Sequence, residues 1–311
     1  MKKIISAVVA ALALAAPAVA AEMPVKAAKA PAAAPSPWEI ALGAAVVSDY
    51  NFRGISQSNK KPSIWGYVEP RFNLNPNLQV YVGAAYESID FPNRVKSEVD
   101  FYAGIRPTFG PVQFDFGVWY YWYPGGTTYT GLGTAATCTT GVLVPCNSAK
   151  GNMSFAEIYG KATWTVNDVV ALGANVFYDP NWMNTGAPGT YYSGTAKVTV
   201  PAAMLAKDWG AYVSGELGRY SFGTTDAFYG TIKLPAYTTW NFGVGATYKV
   251  FTVDLRYYDT DLSKGNCNVL TGDQGATFSA AAISAINTNG GESKWCSSTV
   301  ILKLAVDTTI K

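Results

Sequence analysis

Apolar and polar residues alternate with period two along most of the chain. In the first part of Ala41–Ser58, Leu42, Ala44, Val46, Tyr50 and Phe52 share one face, and Gly43, Ala45, Asp49, Asn51 and Arg53 the other. Period two is the signature of a strand with one apolar face. The polar run Gly54–Pro62 follows as a loop. The same rhythm recurs over Ser63–Leu74, Leu78–Ser88, Ser97–Pro107, Val112–Tyr123 and Met153–Trp164. It continues over Val169–Asp179, Tyr191–Val200, Gly210–Tyr220, Thr238–Lys249, Val250–Asp259 and Trp295–Thr308. Pro70 falls inside the second segment, where a missing amide predicts a bulge or a lost ladder bond. Trp119-Tyr120-Tyr121-Trp122-Tyr123 closes the fifth, an aromatic run of the kind that sits at a lipid–water boundary.

Twelve strands are therefore expected, and the links between them sort by parity. Those after even-numbered strands are short turns, and those after odd-numbered strands are longer. The two longest are Pro124–Asn152 and Thr260–Ser293. Short turns at one rim and long loops at the other mark an antiparallel transmembrane β-barrel. Strands of about ten residues match the tilted span of a bilayer, and an even count returns both chain ends to the short-turn side. A soluble sandwich has no reason to keep this parity.

Composition agrees. Charged residues make up 14% of the 311, and aromatic residues another 14%, whereas soluble domains carry about 25% charge. The first residues read as a secretory signal: Lys2-Lys3, the apolar Ile4–Ala16, then Ala18-Val19-Ala20, with cleavage after Ala20 or Ala21. Residues 21–37 are Ala/Pro-rich and read as a periplasmic tether, leaving 38–311 for the barrel. No later window has 18 continuous apolar residues, so the expected route across the membrane is by strands. Removing Lys2 and Lys3 leaves 21 basic and 21 acidic residues, a balance that argues against a nucleic-acid surface.

The four cysteines fit an oxidising compartment. Cys138 and Cys146 lie in the loop after the fifth strand, and Cys267 and Cys296 bracket the one after the eleventh. Two disulfides, each within one loop, are the economical pairing, although four cysteines allow three connectivities. The chain has no histidine, which removes the usual base for an activated serine. Glu98 and Asp100, two apart on one face, form a lone acid pair and are weak evidence for an enzyme. The reading is of a protein without catalysis, cofactor or metal.

With the apolar faces toward lipid, the lumen is expected to receive Asp49, Arg53, Glu69, Arg71, Glu87, Glu98, Asp100, Arg106, Asp115, Glu157, Lys161, Lys197, Glu216, Asp254 and Arg256, with Lys249 and Lys303. An Arg or Lys on the lipid side costs about 2–4 kcal/mol at the midplane. Two uses of this lining compete. It serves either a narrow channel for small polar solutes or ions, or a closed structural or surface-interaction barrel whose opposite charges pair and fill the interior. The positions predict an acidic outer vestibule of Glu87, Glu98 and Asp100, partly balanced by Arg53, with Arg71, Arg106 and Asp115 toward the periplasm. A rim ion pair between Arg53 and Asp49 is the structural alternative for that arginine.

Val47–Ser58, VSDYNFRGISQS, resembles the opening segment of the TorF-type porin family, once grouped as conserved proteins of unknown function. The aromatic and Gly-rich hairpins extend the likeness over most of the mature chain, though only the first segment is a specific motif. The resemblance implies an outer-membrane barrel of Gram-negative bacteria with a pore role and no established substrate. One departure concerns the end of the chain. Such barrels usually finish on an aromatic residue, and this chain reads Val306-Asp307-Thr308-Thr309-Ile310-Lys311.

Overall fold

A computed structural model of the protein describes residues 37–130 and 147–311. Twelve strands close into one antiparallel barrel. They are β1 (Trp38–Val47), β2 (Ser63–Asn75), β3 (Leu78–Ser88), β4 (Ser97–Phe109), β5 (Val112–Trp122) and β6 (Phe155–Thr165), then β7 (Val170–Asp179), β8 (Gly189–Thr199), β9 (Trp209–Phe222), β10 (Tyr237–Tyr248), β11 (Phe251–Thr260) and β12 (Thr299–Ile310). Each pairs with its sequence neighbours, and β1 closes on β12 from Ile40 opposite Ile310 to Val47 opposite Lys303. No strand edge is left open, as a hydrocarbon surround requires. Among the described residues no helix is long and apolar enough to cross a membrane.

The expected faces hold along all twelve strands. Val46, Ile64, Val82, Phe101, Val118, Ile158, Val176, Leu217, Val244, Leu255 and Leu304 point outward and are exposed. A contiguous apolar belt of this size is a lipid-facing surface, not a soluble one. The parity of the links holds at four of the five even-numbered strands: 76–77, 110–111, 166–169 and 249–250 are tight turns, whereas 48–62, 123–154 and 261–298 are long. The link 200–208 is the longest on the short-turn side and carries a 3-10 turn, Ala202–Met204. At Pro70 the β2–β3 register is the same on both sides, Val68 opposite Ala84 and Arg71 opposite Tyr81. The proline thus interrupts the ladder without shifting it, and the irregularity falls at Asn73/Asn75 instead.

Several boundaries differ from the sequence expectation, most of all at β1 and β12. β1 stops at Val47, so Asp49–Arg53 belong to a loop. Tyr50 and Phe52, expected toward lipid, turn inward with it. β12 begins at Thr299 and runs to Ile310, while Trp295 sits buried in the preceding loop. That loop contains a helix, α1 (Lys264–Thr271), capped by Ser263 and ended by Gly272 at φ 56°. The aromatic run on β5 also splits by parity. Tyr120 and Trp122 face out, whereas Trp119, Tyr121 and Tyr123 are buried inside.

Inward tyrosines are accommodated by glycines on the next strand. Tyr81 stands opposite Gly104, Tyr102 opposite Gly83, Tyr159 opposite Gly117 and Tyr212 opposite Gly245. At each glycine a Cβ would run into the tyrosine ring or its hydroxyl. Tyr81 donates to Asp115 at 2.5 Å and Tyr212 to Asp254 at 2.8 Å, while the Tyr159 hydroxyl meets that of Tyr81. Cys267 and Cys296 form a disulfide within the last long loop, with Cα atoms 5.8 Å apart. Cys138 and Cys146, like residues 1–36, lie outside the described residues.

Candidate functional site

The first loop, residues 48–62, folds into the barrel and does not stand above it. Asn51–Phe52 pairs with Ile55–Ser56 in a miniature hairpin. Its turn residues, Arg53 and Gly54, have φ of 49° and 88°, the left-handed geometry of a primed hairpin turn. The Asn51 side chain holds the turn by accepting from the Gly54 amide at 2.9 Å. Asp49 anchors its base, accepting from the Ser56 and Ser58 hydroxyls at 2.5 and 3.0 Å. Trp295 holds the loop from above, donating from Nε1 to Asn59 and accepting the Ser56 amide at its carbonyl.

This hairpin carries Arg53 to Glu157 on β6. The guanidinium donates to both carboxylate oxygens, at 2.6 and 2.8 Å, with both side chains buried. Phe52, Phe177, Tyr191 and Tyr220 surround it, their ring centroids 4.5 to 4.9 Å from its Cζ. Tyr121 donates to Glu157 at 3.0 Å, and Tyr237 donates to the Arg53 carbonyl at 2.9 Å. A charge-assisted bidentate pair in an aromatic cage therefore spans the lumen from the first loop to the opposite wall. This corrects the sequence expectation for Arg53. Its partner is Glu157, not Asp49, and no ion pair among the described residues joins it to Glu87, Glu98 or Asp100. Asp49 is 3.6 Å from Lys60 instead.

The remaining lumenal charges form two further networks. Below the hairpin toward the short turns, Glu69 accepts from Arg71 at 2.7 Å and from Arg106 at 2.7 Å. Arg106 reaches on to Asp115 at 3.2 Å and lies 3.7 Å from the Tyr81 ring. Arg71, Arg106 and Asp115 thus share one network, with Glu69 as its hub. Across the lumen, Arg256 donates to Asp254 at 2.8 Å, to Asn241 at 3.0 Å and to Ser214 at 3.1 Å. Tyr191 donates to Glu216 at 2.8 Å on the same wall. Lys161 and Lys197 lie over tyrosine rings, each 4.5 Å from a centroid, on Tyr159 and Tyr212.

Glu87, Glu98 and Asp100 do come together near the outer end, because the β3–β4 register sets Glu87 opposite Glu98. They are buried beneath the first loop, with Tyr50 donating to Glu98 at 2.7 Å, so they do not line an open mouth. The inward aromatic residues were the functional component missed from sequence. Their lumen-side parity in the alternation was the available signal.

An elongated cavity remains along the wall made by β8–β12, β1 and β2. Its volume is about 200 Å³. It extends from Lys249, Thr252 and Asp307 near the short turns to Tyr50, Asn51 and Glu87 under the hairpin. Lys197, Lys249, Arg256 and Lys303 line it together with Asp49, Glu87, Asp254 and Asp307. A second, mostly apolar cavity of about 30 Å³ lies above the hairpin, bounded by Phe91, Phe155, Trp182, Leu270 and Trp295 among others.

The family model of a bacterial protein of unknown function (Gcw_chp) matches residues 31–286. The chain belongs to this family. No curated protein matches it. Similar solved structures include an outer membrane channel from Pseudomonas putida F1, at 11% identity and TM-score 0.46, covering 89% of this chain and 97% of that one. Others are the NanC porin, at 9% identity and TM-score 0.41 over 88% and 100% of the two chains, and the KdgM porin, at 8% and 0.42 over 88% and 99%. The closed ladder itself, rather than these distant likenesses, carries the fold. The family description names no transport role.

Proposed function

We propose that this protein is an outer-membrane channel through which small polar solutes or ions diffuse passively, with the first loop as its constriction. The exported N-terminus read from the sequence, the lipid-facing belt and the TorF-type resemblance of Val47–Ser58 all favour this placement. The observation that carries the reading is the cavity beneath the loop hairpin, lined by both signs of charge from Lys249 and Asp307 to Asp49 and Glu87. A barrel that serves only as a scaffold has no need of a cavity flanked by both signs of charge. Side chains fill eight-stranded barrels, and sixteen-stranded ones are wide channels; twelve strands leave an intermediate bore that a single loop can close.

A second reading, a closed surface barrel, is favoured by the Arg53–Glu157 bridge and its aromatic cage, which fill the cross-section at one level. Planar-bilayer recording on purified, heat-modifiable protein separates the two. Stepwise currents in the wild type or in Arg53→Ala support the channel. Silence from both, with the barrel folded, overturns it in favour of the closed barrel.

A further inference from the structure

Glu87, Glu98 and Asp100 are a group of buried acids on one patch of the lumen wall. None of the ion pairs among the described residues includes any of these three. Glu87 is 8% exposed, Glu98 2% and Asp100 3%. One oxygen from each lies within 4.8 Å of the other two. Three carboxylates this close in a poorly hydrated interior cannot all be charged without a cation between them.

A second observation points to a ligand. Glu87 Oε2 and Asp100 Oδ1 are fully buried and have no hydrogen-bond partner among the described residues. A buried carboxylate oxygen without a donor is costly. Glu98 already accepts from the Tyr50 hydroxyl at 2.7 Å. Two neighbouring strands present the three acids on one lumenal patch, so the set is held by the sheet ladder rather than by a mobile loop.

We propose that Glu87, Glu98 and Asp100 bind one hard divalent cation, with calcium the best match. All three ligand residues offer only oxygen, which excludes the soft thiolate sites of zinc and copper. Calcium bonds to oxygen at about 2.3–2.6 Å, so two ligands across the ion stand up to about 5 Å apart, as the cluster allows. Its six-to-eight coordination uses the spare carboxylate lone pairs and leaves room for water. Magnesium, which demands a tight octahedron and keeps several waters, fits this buried set less well. Through Tyr50, which hydrogen-bonds Glu98 and begins the inward hairpin, the ion fastens the first loop over the lumen. Cation binding itself does not depend on whether the barrel conducts.

The test uses the full-length mature protein in detergent, stripped with a chelator and titrated with terbium, which replaces calcium and emits when a nearby indole or phenol absorbs. Trp119 and Tyr121 lie one strand away, opposite Tyr102 and Asp100, and serve as the antenna. Sensitised emission is expected in the wild type, displaced by calcium at lower concentration than by magnesium. It should fall at least tenfold in Glu98→Gln and in Asp100→Asn, and persist in Asp168→Asn on a short turn. Heat-modifiable mobility on gels confirms that each variant is folded. Glu87→Gln, which removes one charge but not the volume, is a second route should Glu98→Gln fail to fold. Absence of emission in the folded wild type overturns the proposal and leaves shared protons balancing the cluster. Undiminished emission in all the folded cluster variants overturns it by placing the ion elsewhere.

Discussion

Replacing Arg53 by alanine removes the one cation that faces Glu157 across the lumen. The wild-type pair is bidentate at 2.6 and 2.8 Å, and the two side chains are 3% and 1% exposed. Removing one member of such a pair costs about 3–5 kcal/mol, chiefly because the other charge stays buried without its counter-ion. The Tyr121 hydroxyl still donates to Glu157, which places the value toward the lower end. The penalty falls on the loop and not on the barrel, since the twelve-strand ladder does not depend on residues 48–62. At 1.36 kcal/mol per power of ten, 3 kcal/mol shifts the closed-to-open ratio of the hairpin by about two powers of ten. Single-channel recording should show a larger conductance or much shorter closures in Arg53→Ala, and limited proteolysis should cleave the variant within 48–62 where the wild type is protected. Arg53→Lys should rescue only in part, because an ammonium cannot make the two parallel bonds or stack among four rings. The double variant Arg53→Met/Glu157→Leu should restore closure, since a packed apolar pair replaces a buried ionic one at little net cost. Unchanged conductance and unchanged protection in Arg53→Ala would refute the view that this pair holds the loop.

Three further outcomes are expected. Cys267→Ser frees a loop closed over 29 residues, worth about 3–4 kcal/mol in a chain-entropy estimate; residues 261–298 should become protease-sensitive while gel mobility still reports a folded barrel. Asp90, in the outer loop after β3, is pushed up by burial, but hydrogen bonds from Lys61, Lys96 and Asn59 outweigh this and hold its carboxyl down to about 2. A depressed acid stabilises above its unfolded value and is lost as pH falls through its folded one. Amide exchange at 89–96 should therefore stay slow from neutral pH to about 4 and rise only as pH approaches 2. Gly104→Ala places a methyl against the Tyr81 hydroxyl and 2.5 Å from the Phe116 carbonyl; it should lower the urea midpoint by an amount equivalent to about 1–3 kcal/mol, whereas the turn residue Gly110, with nothing within 4 Å of its would-be Cβ, should cost only its positive-φ strain, about 1 kcal/mol.

Strand number, parity of the links and the two faces of each strand were legible in the sequence, because a side-chain period of two is a local property. A lipid-facing Val82 and a lumen-facing Tyr81 are adjacent in the chain and need no tertiary information to be told apart. The end of β1 was not legible. The alternation continues through Tyr50 and Phe52, but their apolar face is satisfied by Tyr121 and the aromatic cage instead of by lipid. Period alone does not distinguish two apolar surroundings. The α1 helix escaped for a related reason: eight residues with mixed polarity carry too little periodicity to stand out.

The sequence by itself therefore determined that this chain is a twelve-stranded barrel with charges turned inward, since hydrogen-bond closure in lipid leaves no other arrangement for such a pattern. Which charge meets which was decided only by the tertiary structure. Arg53 and Glu157 are 104 residues apart, and their pairing depends on the first loop turning into the lumen and on how the closed ladder sets β6 across from it. Glu87, Glu98 and Asp100 became a cluster through the β3–β4 register. Both are facts of barrel closure and loop packing, which no local pattern contains.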